Sequence, residues 1–171
     1  MDAISDFEDL LSLLHEHGVR YLVIGGLAFI YHARPRYTKE MDLWIDPSPP
    51  NVRRANAALA EFGSPFLLAV DDPAEILQIG LPPNRIDLLR VIEGPLFGNA
   101  WKRRIIGRYG RAAANWIDLE SLIQVKSRID DPRHRRDVRD LEAVRELKRR
   151  APRPPTPGRG RSAPAKRRPG G

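Results

Sequence analysis

The apolar run Tyr21-Leu-Val-Ile24 stops at two consecutive glycines, Gly25-Gly26, and this junction constrains the fold more than any other stretch of the chain. Four apolar residues bounded by a turn signal predict a buried strand. The glycines leave no Cβ in the way of whatever approaches the strand end. Leu27 to Ala33 then reads as a short helix, broken by Pro35. A helix that begins at such a turn presents unpaired N–H groups and the positive end of its dipole, which together attract an anion. Most glycine pairs are plain turns, so the residues that follow decide the reading.

Glu40 to Asp46 alternates, with Met41, Leu43 and Ile45 on one side and Glu40, Asp42, Trp44 and Asp46 on the other. Two residues apart on a strand, the Glu40 and Asp42 carboxylates leave one face from Cα atoms roughly 6.5–7 Å apart. They repel unless a positive group sits between them, and a divalent cation such as magnesium suits oxygen ligands of this kind. The plain alternative is a half-exposed strand with a polar outer face. Asp87 lies within Arg85-Ile-Asp-Leu-Leu-Arg-Val91, whose apolar neighbours predict a largely buried strand. A carboxylate there needs either a metal or an ion pair with Arg85 or Arg90, since desolvating it alone costs several kcal/mol. Three carboxylates on adjacent strands beside a glycine turn form a two-metal phosphoryl-transfer arrangement.

The rest of the chain supplies a scaffold. Ile4, Phe7, Leu11 and Leu14 recur at helical spacing, Ser5 and Glu8 read as a capping box, and Gly18 ends that helix. Val52 to Phe62 is helical up to Gly63, after a Pro-rich turn at Pro47 to Pro50. Glu75 to Gly80 and Arg85 to Val91 read as strands joined by a turn at Pro82-Pro83-Asn84. Pro95 to Arg104 reads as a helix, Ala112 to Ile117 as a strand, and Asp118 as the cap of a helix to Arg128. Asp131-Pro132 opens a last helix that runs to Arg149. The fold class is therefore α/β: a small mixed sheet flanked by helices, with a helical C-terminal section.

The formal charge of +7 suggests a nucleic-acid partner, but six of the basic residues (Arg153, Arg159, Arg161, Lys166, Arg167, Arg168) stand in the last 21 positions, which hold no acid. Subtracting six from +7 leaves +1 on residues 1–150, too little for a groove built around RNA. The expected organisation is one domain over residues 1–150 and a disordered basic tail over 151–171. That tail is rich in Pro and Gly and has no large apolar residue to bury. It reads as a solubilising end, or as a loose attraction for phosphates. With no cysteine, thiol catalysis, disulfides and cysteine-bound zinc are excluded. No apolar run approaches twenty residues and no leader is evident, so the expectation is a cytoplasmic protein without a membrane partner.

Other chemistry finds little support. His15 and His17 flank Glu16 without zincin spacing, His32 reads as a helix-surface residue, and Trp101 and Trp116 as core. Trp44 shares the carboxylate face, where packing is the plainer role and stacking on a base the other. No serine occupies a nucleophile elbow and no Gly-x-x-x-x-Gly-Lys occurs.

The string Gly25-Gly26 … Arg36-Tyr-Thr38-Lys-Glu40-Met-Asp42-Leu-Trp-Ile45 resembles the signature of the nucleotidyltransferase (DNA polymerase β-like) superfamily. The Arg-x-Thr lead-in is similar to the branch that contains AbiEii-like toxins and the minimal nucleotidyltransferases. Asn84-Arg-Ile-Asp-Leu88 resembles its third-carboxylate strand, Ile117 to Lys126 its helix with a phosphate-facing lysine, and Arg136-Asp137-Val-Arg-Asp140-Leu141 its closing helix. The resemblance implies that Glu40, Asp42 and Asp87 are catalytic and bind Mg2+ or Mn2+. It also implies that Gly25, Gly26, Arg36, Thr38 and Lys126 contact the NTP, while Asp137 and Asp140 tie the last helix to the domain through arginines. It further implies transfer of a nucleoside monophosphate from NTP to a hydroxyl of RNA (tRNA), a protein or a small molecule, with a cognate antitoxin or toxin as partner. Glu40 departs from the pattern, which has Asp there; the added methylene extends the carboxylate by about 1.5 Å. Two rival readings remain: a nucleotide- or partner-binding module of the same fold with impaired chemistry, and an RNA-binding protein that acts through its tail.

Overall fold

The computed structural model describes residues 3–152, and side chains from residue 5. The expected tail beyond residue 152 and the side chain of Ile4 lie outside the described residues. In chain order the elements are α1 (Ala3–Glu16), β1 (Tyr21–Ile24), α2 (Gly25–His32), β2 (Glu40–Ile45), α3 (Pro49–Phe62), β3 (Leu77–Ile79) and β4 (Arg85–Leu89). There follow α4 (Phe97–Arg103), β5 (Ile105–Tyr109), β6 (Ala112–Trp116), α5 (Leu119–Ser127) and α6 (Pro132–Arg150). Among these no helix is long and apolar enough to cross a membrane.

All four residues of β1 are buried, as their unbroken apolar run requires, because the strand lies inside the sheet. The six strands follow the order β3-β4-β2-β1-β6-β5. β1 runs antiparallel to β2 and parallel to β6, and β2 runs parallel to β4. The sheet is thus mixed, with helices on both faces. On one face α1 and α3 pack over Ile79 and Ile86, leaving a cleft lined by Leu13 and Phe62. On the other face α2, α5 and α6 pack on one another and over the end of β1 and β2. The core runs through Phe7, Leu10, Leu11 and Leu14 of α1, Val52 and Leu59 of α3, and Leu122 and Leu141.

Several local expectations differ in detail. The first helix starts at Ala3, so Ser5 and Glu8 lie within it and form no capping box. Glu8 instead accepts from the Arg111 backbone N–H at 2.8 Å, binding α1 to the β5–β6 turn. α3 begins at Pro49 rather than Val52, because prolines lose nothing in a first turn whose N–H groups have no helical partner. Gly63 closes it with a φ of +87°. β5 is a strand the sequence did not announce. It is an edge strand with Gly107 at its middle, where a Cβ would stand 3.3 Å from the Trp116 ring. Strand propensity is low at that glycine, but the bare backbone suits the neighbouring indole.

Candidate active site

The parallel ladder between β2 and β4 sets Glu40 opposite Arg85 and Asp42 opposite Asp87. Side chains of paired residues leave the same face, so the three expected carboxylates meet. One oxygen each from Glu40, Asp42 and Asp87 lies within 4.8 Å of the others. The antiparallel ladder sets Ile24 opposite Asp42, which brings the following glycine against the same carboxylate. Gly25 has a φ of +64°, and a Cβ there would fall 2.0 Å from Asp42 Oδ2. At Gly26 a Cβ would stand 2.7 Å from Thr38 Oγ1 and 3.7 Å from Arg36 Nη2. Both glycines lie in the first turn of α2, whose early N–H groups have no helical acceptor. Thr38 donates to the Glu40 carbonyl at 3.3 Å, steadying the entry to β2.

Electrostatics set the three acids apart. Burial, then the neighbouring Glu40 and Asp87 charges, push the Asp42 carboxyl up to about 7. Arg85 bonds Asp87 through a fork, with Nε to Oδ1 and Nη2 to Oδ2 each at 3.0 Å. Its Nη2 also donates to Glu40 Oε2. Of the two arginines open as partners for Asp87, Arg85 is the one used. Arg90 is buried and donates to the carbonyls of Ala69 and Asp72.

A second charged network backs the glycine turn. Lys126 is buried and donates to Asp137 Oδ2 at 2.8 Å, while Arg36 bonds the other Asp137 oxygen and lies 4.3 Å from the Phe29 ring centre. Burial alone would raise the Asp137 carboxyl, but Lys126 and Arg36 together hold it below the usual range. Burial pushes the Lys126 ammonium down, in part offset by Asp137. Arg34 reaches Asp140 at 2.9 Å, so the last helix is fastened to the segment after α2 by two ion pairs.

A cavity of about 350 Å³ opens between Asp42 and Lys126. Gly25, Glu40, Asp42 and Lys126 line its polar side, and Leu89, Val91, Val125 and Ile129 its apolar side. His134 also lines it, and no signal in the sequence marked that residue. Its Nδ1 is buried without a partner among the described residues, and burial lowers its pKa. Trp44 is not at the surface of this site. It is buried edge-on against Phe97 at 5.2 Å, with its indole N–H toward the Arg90 carbonyl. His32 is a correction: far from being a surface residue it is buried, with Nε2 2.7 Å from the Ile117 carbonyl, because α2 lies under α5. Trp116 is core, while Trp101 is half-buried beneath the Arg104 guanidinium.

The donor set fits a hard divalent cation: three carboxylates converge, and one of them is driven toward neutrality by burial and then by the other two. No family model and no curated protein matches the sequence. Solved structures do. The lincosamide antibiotic adenylyltransferase LnuA matches with a TM-score of 0.57 at 14% identity, over 82% of this chain and 96% of that one. The antibiotic-resistance factor ANT(2'')-Ia matches at 0.56 and 15% identity, over 85% and 90%. Its complex with adenylyl-2''-tobramycin matches at 0.54 and 16%, over 85% and 96%. Identities this low speak for the fold alone. These matches show that the chain shares the fold of these adenylyltransferases, and within it an acidic triad stands at the meeting of β2 and β4.

Proposed function

We propose that this chain is a metal-dependent nucleotidyltransferase that moves a nucleoside monophosphate from an NTP to a hydroxyl. The observation that carries the reading is the convergence of Glu40, Asp42 and Asp87 beside the bare Gly25 backbone. Glu40, Asp42 and Asp87 hold Mg2+ or Mn2+, which supplies charge neutralisation for the triphosphate and a lowered pKa for the acceptor hydroxyl. The amides at Gly25 and Gly26, with Thr38, receive the phosphates. Arg36 and Lys126 lend positive charge from behind, shared with Asp137. The apolar wall of Leu89, Val91 and Val125 gives a base or an acceptor a surface away from water.

The acceptor is a hydroxyl of RNA, protein or a small molecule. The motif order, similar to the AbiEii-like and minimal branch, favours a tRNA end or a protein side chain, with a cognate toxin or antitoxin as partner. The fold neighbours favour a small molecule, as one is a lincosamide adenylyltransferase and another is bound to adenylylated tobramycin. An NTP substrate makes the cytoplasm the working compartment.

The test is label transfer from each α-labelled NTP, with Mg2+ or Mn2+, to cellular RNA, to protein and to hydroxyl-bearing antibiotics. Transfer by wild type and its loss in Asp42→Ala supports the reading and identifies the acceptor. Metal-dependent NTP binding without transfer supports a second reading, a nucleotide-binding module with impaired chemistry. The Arg85–Glu40 bond favours that alternative, because it engages the carboxylate that departs from the family pattern. Under it, Glu40→Asp restores transfer.

A further inference from the structure

We propose that Arg85 is the resident counter-cation of the carboxylate site, and that a divalent metal must compete with it for Glu40 and Asp87. This rests on the metal-binding reading above. Every hydrogen bond that the Arg85 side chain makes among the described residues goes to those two acids. Nothing else fixes the guanidinium, and its side chain is 29% exposed. Contrast the Lys126–Asp137 pair, exposed by only 2% and 4%, which is enclosed by α5 and α6. One cation is built in, and the other is partly open to water.

The geometry also gives Glu40 a purpose. Arg85 faces Glu40 directly across the ladder and forks onto Asp87 two residues further along its own strand. A single guanidinium can span both acids because the longer Glu side chain closes the remaining gap. Asp42 receives no hydrogen bond among the described residues, so it is the acid left for an arriving ion. A metal that takes an Asp87 oxygen must compete with Arg85 for it, because the fork engages both. The displaced guanidinium is then open to an anionic phosphate as a new partner. Metal alone should therefore bind weakly, and metal with nucleotide much better.

The experiment titrates Mn2+ into the full chain without nucleotide, by calorimetry and by the free-Mn2+ paramagnetic resonance signal, for wild type, Arg85→Gln and Arg85→Lys. Removing a unit charge a few ångströms from a dication site is expected to raise Mn2+ affinity about tenfold or more in Arg85→Gln. The metal-free melting temperature should fall, and the Mn2+-induced rise should exceed that of wild type. Arg85→Lys keeps the charge but loses the fork, so its Mn2+ affinity should fall between the two. If Arg85→Gln does not fold, Arg85→Lys alone decides, and affinity no higher than wild type overturns the proposal. Unchanged or weaker Mn2+ binding in Arg85→Gln overturns it too. Equal affinities with label transfer intact would sink this inference and leave the enzymatic reading standing. Tighter binding in the variant with no transfer by either chain would do the reverse.

Discussion

Replacing Asp42 by asparagine removes the acid that burial and two neighbouring carboxylates drive up to about 7. A carboxyl whose folded pKa lies above its unfolded value weakens the fold once it must ionise. The penalty is absent below the unfolded pKa near 3.8, grows as pH rises, and is complete above the folded value of about 7. Integrating between those two values, the penalty is about 4 kcal/mol at pH 8 and about 2 kcal/mol at pH 5. Asp42→Asn is nearly isosteric and cannot ionise, so it should stabilise the metal-free protein by these amounts.

The assay is urea or thermal unfolding in a chelator-containing buffer across pH 4 to 8. For a domain of this size the gain at pH 8 corresponds to a melting temperature higher by on the order of 10 °C. Mn2+ should then stabilise wild type at pH 8 and leave the variant unmoved, since the variant has lost a ligand. A variant no more stable than wild type at pH 8, or a gain equal at pH 5 and pH 8, would refute the account of a buried carboxyl crowded by two others.

Three further substitutions probe the supports of the site. Gly25→Ala places a Cβ at a φ of +64° and against the Asp42 carboxylate; it should cost about 2 kcal/mol or more in urea unfolding and abolish Mn2+ binding. Lys126→Met leaves Asp137 with Arg36 as its one remaining cation among the described residues, and should cost about 2–3 kcal/mol while weakening NTP binding measured by fluorescence titration. His32→Leu strips the buried Ile117 carbonyl of its donor and should cost about 1–3 kcal/mol in the same unfolding assay, with Mn2+ binding unchanged.

Much of the fold is legible in the sequence because it is written in local pattern. The apolar run at Tyr21, the alternation from Glu40, the glycine stop at Gly63 and the Asp-Pro start at Asp131 are each decided within a few residues, and the elements follow them. What escaped depends on distant neighbours. β5 is an edge strand whose Gly107 lowers its propensity and whose pairing comes from β6. Glu8 has the spacing of a cap, yet its partner is Arg111, far along the chain. His32 reads as surface until α5 covers it. The acids of the site were readable as a set because strand alternation puts Glu40 and Asp42 on one face. Their union with Asp87 depends on the register between β2 and β4, which no local pattern gives. The same register chooses Arg85 over Arg90 as the partner of Asp87.

Charge balance explains why the two basic networks differ. Three converging carboxylates cannot all ionise at close range without a cation, and a folded chain must hold together before metal arrives. Arg85 meets that need for Glu40 and the buried Asp87 while itself remaining partly open to water, so an arriving cation can take its place. Lys126 and Arg36 meet a different need. Asp137 is enclosed, and losing its partners would leave a buried charge that costs several kcal/mol. A metal can therefore displace Arg85 at small cost to the fold, whereas the cations behind the glycine turn must stay. On the proposed reading the site keeps its frame while its counter-ion changes, as a reaction that binds and releases a charged substrate in every turnover would demand.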